Sequence, residues 1–241
     1  GTAATAIYGV GSQINQYYMA LSTSISGVFT PQINRIVARG EGDEQLTKLF
    51  TRVGRIQFML LMLVLTGFVF VGEPFICAWG GEEYGAAYWI ALLLIAPVTV
   101  PLIQNIGIEI QRAKNMHQFR SKVYFCMAIG NALVSIPLGM KFGGIGCALG
   151  TAISMVVGNG FIMNWYYQTH IGLDMRYFWK HILSIVPAML PAVALGIIAV
   201  RLHTFTGYAG VVTFAVPYAA VYAVGLYLFA MDESEKNMVR G

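Results

Sequence analysis

The sequence predicts an all-α protein, a polytopic bundle of about seven transmembrane helices. Of its 241 residues, 57% are hydrophobic and 11% are charged, whereas a soluble domain carries about 25% charged residues. The charged residues are clustered, and each stretch between clusters is long enough for a helix to cross a bilayer, which takes roughly 17–25 residues. The charge-free stretches are residues 1–34, 56–72, 84–108, 123–140, 142–173, 182–200 and 202–231.

The basic residues predict the orientation of these helices. If the seven stretches alternate in direction, 13 of the 15 Lys and Arg residues fall on one side of the membrane, and Lys141 and Arg201 fall on the other. Because short cytoplasmic connections collect basic residues, we expect a cytoplasmic C-terminus and a first residue outside. The 13 residues are Arg35, Arg39, Lys48, Arg52, Arg55, Arg112, Lys114, Arg120, Lys122, Arg176, Lys180, Lys236 and Arg240.

The opening of the chain, "GTAATAIYGVGSQINQYY", has neither the basic region nor the cleavage site of a signal peptide. We therefore expect a fragment that begins inside a longer protein.

The first stretch is too polar for a helix that faces lipid, because polar side chains are costly against acyl chains. Its polar residues include Gln13, Asn15, Gln16, Ser22, Ser24 and Ser26. Two interpretations are open: the helix lines a hydrated cavity, or its small polar residues hydrogen-bond to neighbouring helices. Gln13, Asn15 and Gln16 are the cavity candidates, and the two glutamines are the better ones.

Prolines predict bends in the membrane helices, since each removes a backbone donor and crowds the preceding turn. Bends at membrane depth are common where transporters line a path. The candidate hinges are Pro97, Pro101 and Pro137.

A carboxylate, Glu109, directly follows the third charge-free stretch. A helix places Pro101, Asn105, Glu109 and Arg112 on one face, so Asn105 and Glu109 are further candidates to line a cavity. Alternatively, Glu109 lies at the inner interface and pairs with Arg112 three residues later. We favour the pair, because basic residues mark the membrane edge so closely.

Residues 139–152 read "GMKFGGIGCALGTA" and carry a G-x-G-x-x-x-G spacing close to that of a nucleotide phosphate loop. A phosphate loop needs a strand before it and water around it, whereas this segment joins two predicted membrane helices. Gly143 and Gly144 therefore predict a sharp turn. Gly146 and Gly150 form a small-xxx-small pair that predicts close helix packing.

Several classes of function are not expected. The cysteines are isolated and read as packing residues, the four histidines do not share a helix face, and no Ser/His/Asp or paired-carboxylate arrangement fits the topology. The sequence therefore predicts neither an enzyme nor a bound cofactor or metal. The basic residues lie between hydrophobic stretches without interleaved aromatics, so nucleic acid is not an expected partner. The cysteines and histidines are Cys77, Cys126, Cys147, His117, His170, His181 and His203.

Three segments resemble one family. Residues 8–41 resemble the helix of polysaccharide flippases that runs from a "vGxY" start to a proline ahead of a basic inner loop. Residues 68–98 are similar to its apolar helix that ends in an outward "fG-x-e-Y-x-x-A" turn. Residues 108–154 resemble its "N-x-x-x-x-i-P" helix and "G-i-x-G-a-a-l-a-T" hairpin. The family is the Wzx-like flippases, in the MATE-like multidrug/oligosaccharidyl-lipid/polysaccharide exporter superfamily.

The resemblance implies fourteen helices in two lobes in a bacterial inner membrane. The chain would be the C-terminal lobe, helices eight to fourteen, and the missing N-terminal half would be its partner. Residues 1–172 would form the five-helix bundle of the lobe. Residues 173–241 would add a C-terminal helix pair and a short cytoplasmic tail.

The resemblance also implies a function. Such a protein flips undecaprenyl-pyrophosphate-linked oligosaccharide by alternating access, for O-antigen or exopolysaccharide synthesis. Its expected partners are the lipid-linked glycan and the bilayer, with a polysaccharide polymerase or chain-length machinery as a further candidate. One alternative is a cation-coupled multidrug or metabolite antiporter, with Glu109 as its candidate acid. Another is a membrane-embedded glycan polymerase, which would need a larger outer loop. Because no Lys or Arg lies deep in a predicted helix, cations for pyrophosphate are expected mainly from the missing half.

Overall fold

A computed structural model of the chain describes residues 2–233 and 235–236. The α-helices in this part are α1 (Thr2–Arg39), α2 (Asp43–Gly80), α3 (Ala87–Ile103), α4 (Ile106–Ala113), α5 (Gln118–Met155), α6 (Asn164–Tyr166), α7 (Met175–Leu183), α8 (Val186–Leu202) and α9 (Gly207–Phe229). A 3-10 turn covers Glu82–Tyr84, and π-helical segments cover Val156–Met163 and Tyr167–Ile171. No strand occurs among the described residues, so the all-α prediction is confirmed for them. Arg240, used above to orient the chain, lies outside them.

Several of these helices are long and apolar enough to cross a membrane. Four helical runs meet that description within the described residues: Asp43–Gly80, Gln118–Ile171, Met175–Leu202 and Gly207–Phe229. A fifth is reached if α3 and α4, which meet at an angle of 42°, are counted as one broken span. The helices therefore indicate a multi-pass membrane protein.

The predicted number of seven spans is not confirmed by helix length and composition, which give four or five. The two numbers differ at α1, which has 38 residues but is too polar to qualify. They also differ at Gln118–Ile171, which is one continuous helical run of 54 residues but corresponds to two predicted spans. Seven crossings therefore stay a prediction.

The long helical run doubles back on itself at Gly143. The backbone there has φ 62° and ψ −139°, inside an otherwise helical segment, and glycine reaches this region without a steric penalty. The two arms on either side of Gly143 contact each other in antiparallel order. Closer to the bend, Ser135 Oγ donates to the Cys147 carbonyl at 3.3 Å, and farther from it, Tyr124 Oη donates to Asn159 Oδ1 at 2.9 Å. The segment is thus an antiparallel helical hairpin with its bend at Gly143.

Helix α2 lies at the centre of the packing. The rings of Phe50 in α2 and Phe178 in α7 have centroids 4.7 Å apart, and Tyr167 packs beside Phe50 at 5.8 Å. In α9, Tyr222 donates a hydrogen bond to the carbonyl of Met59 in α2 at 2.8 Å. Residues 173–233 therefore pack directly against the bundle formed by the residues before them.

The hairpin arms approach each other at glycines, and this predicts an asymmetry between two of them. A Cβ added to Gly150 would overlap the side chain of Ser135 and lie 2.8 Å from its Cα, whereas a Cβ on Gly130 would meet nothing within 4 Å. Gly150→Ala should lower the free energy of unfolding by about 1–3 kcal/mol through overpacking. Gly130→Ala, the matched control, should raise it by up to about 1 kcal/mol through helix propensity. Thermal unfolding of the two variants in detergent measures the difference, and equal effects would contradict the close approach.

Candidate functional site

The polar face of α1 is bonded to α2 through one glutamine. Gln57, fully buried in α2, has an amide nitrogen that lies 3.0 Å from the Ser22 carbonyl, 2.9 Å from Ser22 Oγ and 2.8 Å from Ser26 Oγ. Ser22 Oγ in turn donates to the carbonyl of Leu102 in α3 at 2.8 Å. Because these groups are sealed from solvent, Ser22 and Ser26 join helices and line no cavity.

A second buried link lies one turn earlier on α1. Tyr18 is 2% exposed, and its hydroxyl lies 2.7 Å from Thr99 Oγ1 in α3 and 3.2 Å from the carbonyl of Leu61 in α2. The middle of α1 is therefore fixed to both neighbours by hydrogen bonds. For this part of the helix, the interpretation of polar residues as contacts between helices is the one the geometry matches.

The cavity candidates on α1 are placed differently. Gln13 and Asn15 are half-buried and Gln16 is exposed. Within residues 2–233 and 235–236, no side-chain hydrogen bond joins Gln13 or Gln16 to another residue. The Asn15 amide nitrogen approaches Met19 Sδ on the same helix at 3.7 Å, and its buried amide oxygen has no described partner. The N-terminal part of α1 thus presents side-chain amides that bond to no other helix among the described residues.

The bend in the third predicted span lies just beyond its prolines. Pro97 and Pro101 are both inside α3, and the break falls at Gln104 and Asn105, between α3 and α4. Pro101 has no N–H to offer the preceding turn, which weakens the end of α3. Asn105 is half-buried at this break. Gln104 is 2% exposed and donates from Nε2 to Asn164 Oδ1 at 3.0 Å.

Asn164 is the centre of a hydrogen-bond network that the sequence analysis did not predict. Besides Gln104, its Oδ1 accepts the indole N–H of Trp179 at 2.7 Å, and its Nδ2 donates to the carbonyl of Asn159 at 2.7 Å. Asn159 Oδ1 accepts from Tyr124 across the hairpin at 2.9 Å. The signal in the sequence was the spacing of five residues between the two asparagines, which matches the i to i+5 period of the π-helix formed there.

This hydrogen-bond network ends at Arg120, near the start of α5. Its Nη2 donates to the Tyr124 hydroxyl at 2.6 Å, and its Nη1 donates to the hydroxyl of the buried Tyr167 at 3.3 Å. The guanidinium also lies over the Tyr124 ring, 4.6 Å from its centroid. Both partners are neutral hydroxyls, so these bonds orient the guanidinium but leave its charge uncompensated.

Two other charged groups, Glu109 and Arg112, form an ion pair. Glu109 Oε1 accepts from Arg112 Nη1 at 2.8 Å; the carboxylate side chain is 24% exposed and the arginine side chain 66%. The pair that we favoured from the sequence is thus formed. Far along the chain, Arg55 and Glu235 form a buried pair at 2.8 Å, and the Arg55 guanidinium also donates to the carbonyls of His181 and Ala230. Because Arg55 and Glu235 lie 180 residues apart, no local sequence pattern predicts the pair.

The glycines and the last hinge candidate lie along the hairpin. A Cβ on Gly146 would overlap the carbonyl of Leu138 in the opposite arm, and a Cβ on Gly144 would lie 3.1 Å from Ile90 Cδ1 in α3. Pro137 is exposed in the first arm. No group of three or more His, Cys, Asp or Glu side chains suited to a metal ion occurs within the described residues.

A search for related proteins found no matching family model, no matching curated protein and no matching solved structure. The flippase resemblance noted in the sequence stays a prediction.

The Gln57 network predicts different effects for two serines of α1. Ser22→Ala removes a buried hydroxyl that bonds to Leu102 and Gln57, so it should lower the free energy of unfolding by about 1–2 kcal/mol. Ser24→Ala is the matched control, because Ser24 is exposed and its hydroxyl bonds to the Ala20 carbonyl of its own helix at 2.8 Å. It should change stability by less than about 0.5 kcal/mol. Thermal unfolding compares them, and a larger effect at Ser24 would contradict the network.

Proposed function

We propose that the chain is part of a bacterial inner-membrane transporter that flips an undecaprenyl-pyrophosphate-linked oligosaccharide by alternating access, with its C-terminus in the cytoplasm. The observation that carries the proposal is the division of α1. Its middle is bonded to α2 and α3, while the side chains of Gln13 and Gln16, nearer its N-terminus, make no hydrogen bond to other described residues. Unbonded amides in a membrane helix need water or further protein. A hydrated path between this chain and a second lobe supplies both.

Two further features support a protein that changes shape. The α3–α4 break and the π-helical segments interrupt regular helix at membrane depth, where irregular backbone is tolerated beside a cavity or inside protein. The side-chain amides of Gln13, Asn15 and Gln16 offer neutral hydrogen bonds suited to a sugar.

The antiporter alternative has less support. A coupling site needs a carboxylate that exchanges a cation, and Glu109 is already paired with Arg112 at 2.8 Å. The flippase proposal asks no such role of Glu109.

A transport assay tests the proposal directly. The protein that contains this chain is placed in liposomes with a fluorescent undecaprenyl-pyrophosphate-linked oligosaccharide, and a membrane-impermeant quencher reports the fraction that has crossed. Protein-dependent crossing is expected. Crossing no faster than in protein-free liposomes would overturn the proposal.

The cavity assignment predicts a loss of transport without a loss of fold. Replacing Gln13 and Gln16 together by Leu should slow crossing about tenfold, which corresponds to about 1.4 kcal/mol in the barrier, while thermal unfolding stays unchanged. Gln32→Leu is the control, since Gln32 is an exposed glutamine further along α1 and outside the predicted cavity. Normal transport by the double variant would remove these residues from the cavity.

Glu109 is predicted to be dispensable. Glu109→Gln removes a partly exposed ion pair, worth roughly 0–1 kcal/mol, so crossing should stay within about twofold of the unmodified protein. A variant that folds but no longer transports would favour the antiporter instead.

A further inference from the structure

An open groove runs along the helical hairpin between its two arms. It has a volume of about 440 Å³, and its walls come from one face of residues 119–134 in the first arm and from residues 153–162 in the second. Apart from the Cys126 thiol and the Ser154 hydroxyl, the wall is apolar up to Lys122, which lies at one end. The groove is therefore apolar along its length and cationic at one end.

The dimensions of the groove match a single acyl chain. Residues 119 and 134 lie about 22 Å apart along a helix that rises 1.5 Å per residue. A volume of about 440 Å³ spread over that length is a mean cross-section of about 20 Å². The body of an α-helix, about 10–12 Å in diameter, is too wide for it, whereas a chain of methylene groups fits. Half of a hydrocarbon core is about 15 Å thick, so the groove spans the depth of one leaflet.

A missing side chain keeps the groove open. A Cβ added to Gly130 would meet nothing within 4 Å, whereas a Cβ on Gly158 would overlap Met127 Sδ in the opposite arm. The arms thus touch at Gly158 and Met127 and leave space beside Gly130. The hairpin belongs to a helical run that is long and apolar enough to cross a membrane. Because an empty groove forfeits dispersion contacts, lipid chains are the material that fills it in a bilayer.

A second, more polar hollow adjoins the groove at the Lys122 end. Its volume is about 380 Å³, and both Phe119 and Lys122 line the groove as well as this hollow. Asn115, Gln118 and His170 contribute polar groups to its wall, and none of its lining residues is Asp or Glu. The two hollows together are therefore amphipathic, with the apolar part in the membrane-spanning hairpin and the polar part at its end.

The polar groups of this hollow are accessible and available. Lys122, Asn115 and Gln118 are all exposed. Lys122 forms no ion pair with a described carboxylate, whereas Lys114, next to Asn115 in the chain, is paired with Asp43 at 2.5 Å. The side chains of Asn115 and Gln118 make no hydrogen bond to another described residue. One ammonium and two amide groups can thus be reached by a ligand that enters the hollow.

We propose that an anionic phospholipid of the bilayer binds here, with one acyl chain in the groove and its phosphate in the adjoining hollow. The Lys122 ammonium pairs with the phosphate, and the amides of Asn115 and Gln118 add neutral donors. A zwitterionic headgroup would bring a cation of its own close to Lys122, so a headgroup with a net negative charge is favoured. The site does not depend on the transport proposal, because it stands on residues of this chain and on its membrane setting.

Native mass spectrometry of the full chain, released from detergent micelles, counts the lipids that stay bound. The chain is offered equal amounts of phosphatidylglycerol and phosphatidylcholine with identical acyl chains. One phosphatidylglycerol molecule should be retained about fivefold more strongly than phosphatidylcholine, which is the effect of one lysine beside an anionic headgroup.

Two lysine variants test the charged end. Lys122→Gln should bring the retention of the two lipids to about the same level, because the charge that distinguishes them is removed. Lys141→Gln is the matched control, since Lys141 is an exposed lysine of the same helical run that does not line either hollow. It should keep the fivefold preference.

Two glycine variants test the apolar part. Gly130→Leu should weaken retention of both lipids about tenfold, because its side chain takes the space of the acyl chain. Gly27→Leu is the control, since Gly27 is a helical glycine of α1 whose added Cβ would also meet nothing within 4 Å. Thermal unfolding in detergent without lipid checks that each variant is folded, and Lys122→Gln decides if Gly130→Leu is not.

The outcomes separate a lipid site from its alternatives. Loss of the preference in Lys122→Gln and of binding in Gly130→Leu, with both controls unchanged, supports the site. Equal retention of the two lipids by the unmodified chain overturns it, as does an equal loss in Lys141→Gln, which would indicate diffuse charge attraction. A lipid-free dimer that Gly130→Leu dissociates would show that a second copy of the chain covers the groove, and this too would overturn the proposal.

Discussion

The hydrogen bonds of Gln57 hold α1 in the bundle, and the neighbouring elements depend on α1 being held there. Lipid offers no hydrogen-bond partner, so a helix with the polarity of α1 is stable at membrane depth when its buried hydroxyls meet protein. Gln57 and the Leu102 carbonyl provide that for Ser22 and Ser26. Further along, α1 supports α3, because Gly11 lets Ile90 approach closely. The hairpin turn at Gly144 then rests on Ile90 as well.

Similar polar residues therefore have different surroundings along one helix. The hydroxyls of Ser22 and Ser26 are hydrogen-bonded inside the protein, so their removal is expected to lower the free energy of unfolding. The side chains of Gln13 and Gln16 make no hydrogen bond to a described residue, so packing does not account for their amides. If the proposed function holds, this long helix forms a rigid wall for a polar path, because its bonded middle fixes where its unbonded N-terminal part points.

Much of the fold follows from composition, because charge-free stretches and turn glycines act locally. The reversal at Gly143, the break after Pro101 and the Glu109–Arg112 pair each depend on residues within a few positions of one another. The polar contacts between helices do not. Gln57 reaches Ser22 across 35 residues and Arg55 reaches Glu235 across 180, so no periodicity encodes them. The π-helical segments were also missed, since the spacing of Asn159 and Asn164 gains meaning once Tyr124 and Gln104 are seen beside them.

The break between α3 and α4 and the two π-helical segments meet at one place. Gln104 lies at the break between α3 and α4, Asn164 lies between two π-helical segments, and their side chains are joined at 3.0 Å. Trp179 of α7 donates to the same oxygen at 2.7 Å. A change in the α3–α4 angle would pull Gln104 away from Asn164 and leave the buried Gln104 amide nitrogen without this partner, while Asn164 Oδ1 keeps Trp179. One unsatisfied buried group costs about 1–3 kcal/mol. A cost of that size would oppose bending, and it places the resistance at the contact with Asn164, in a neighbouring helix, and not at the prolines themselves.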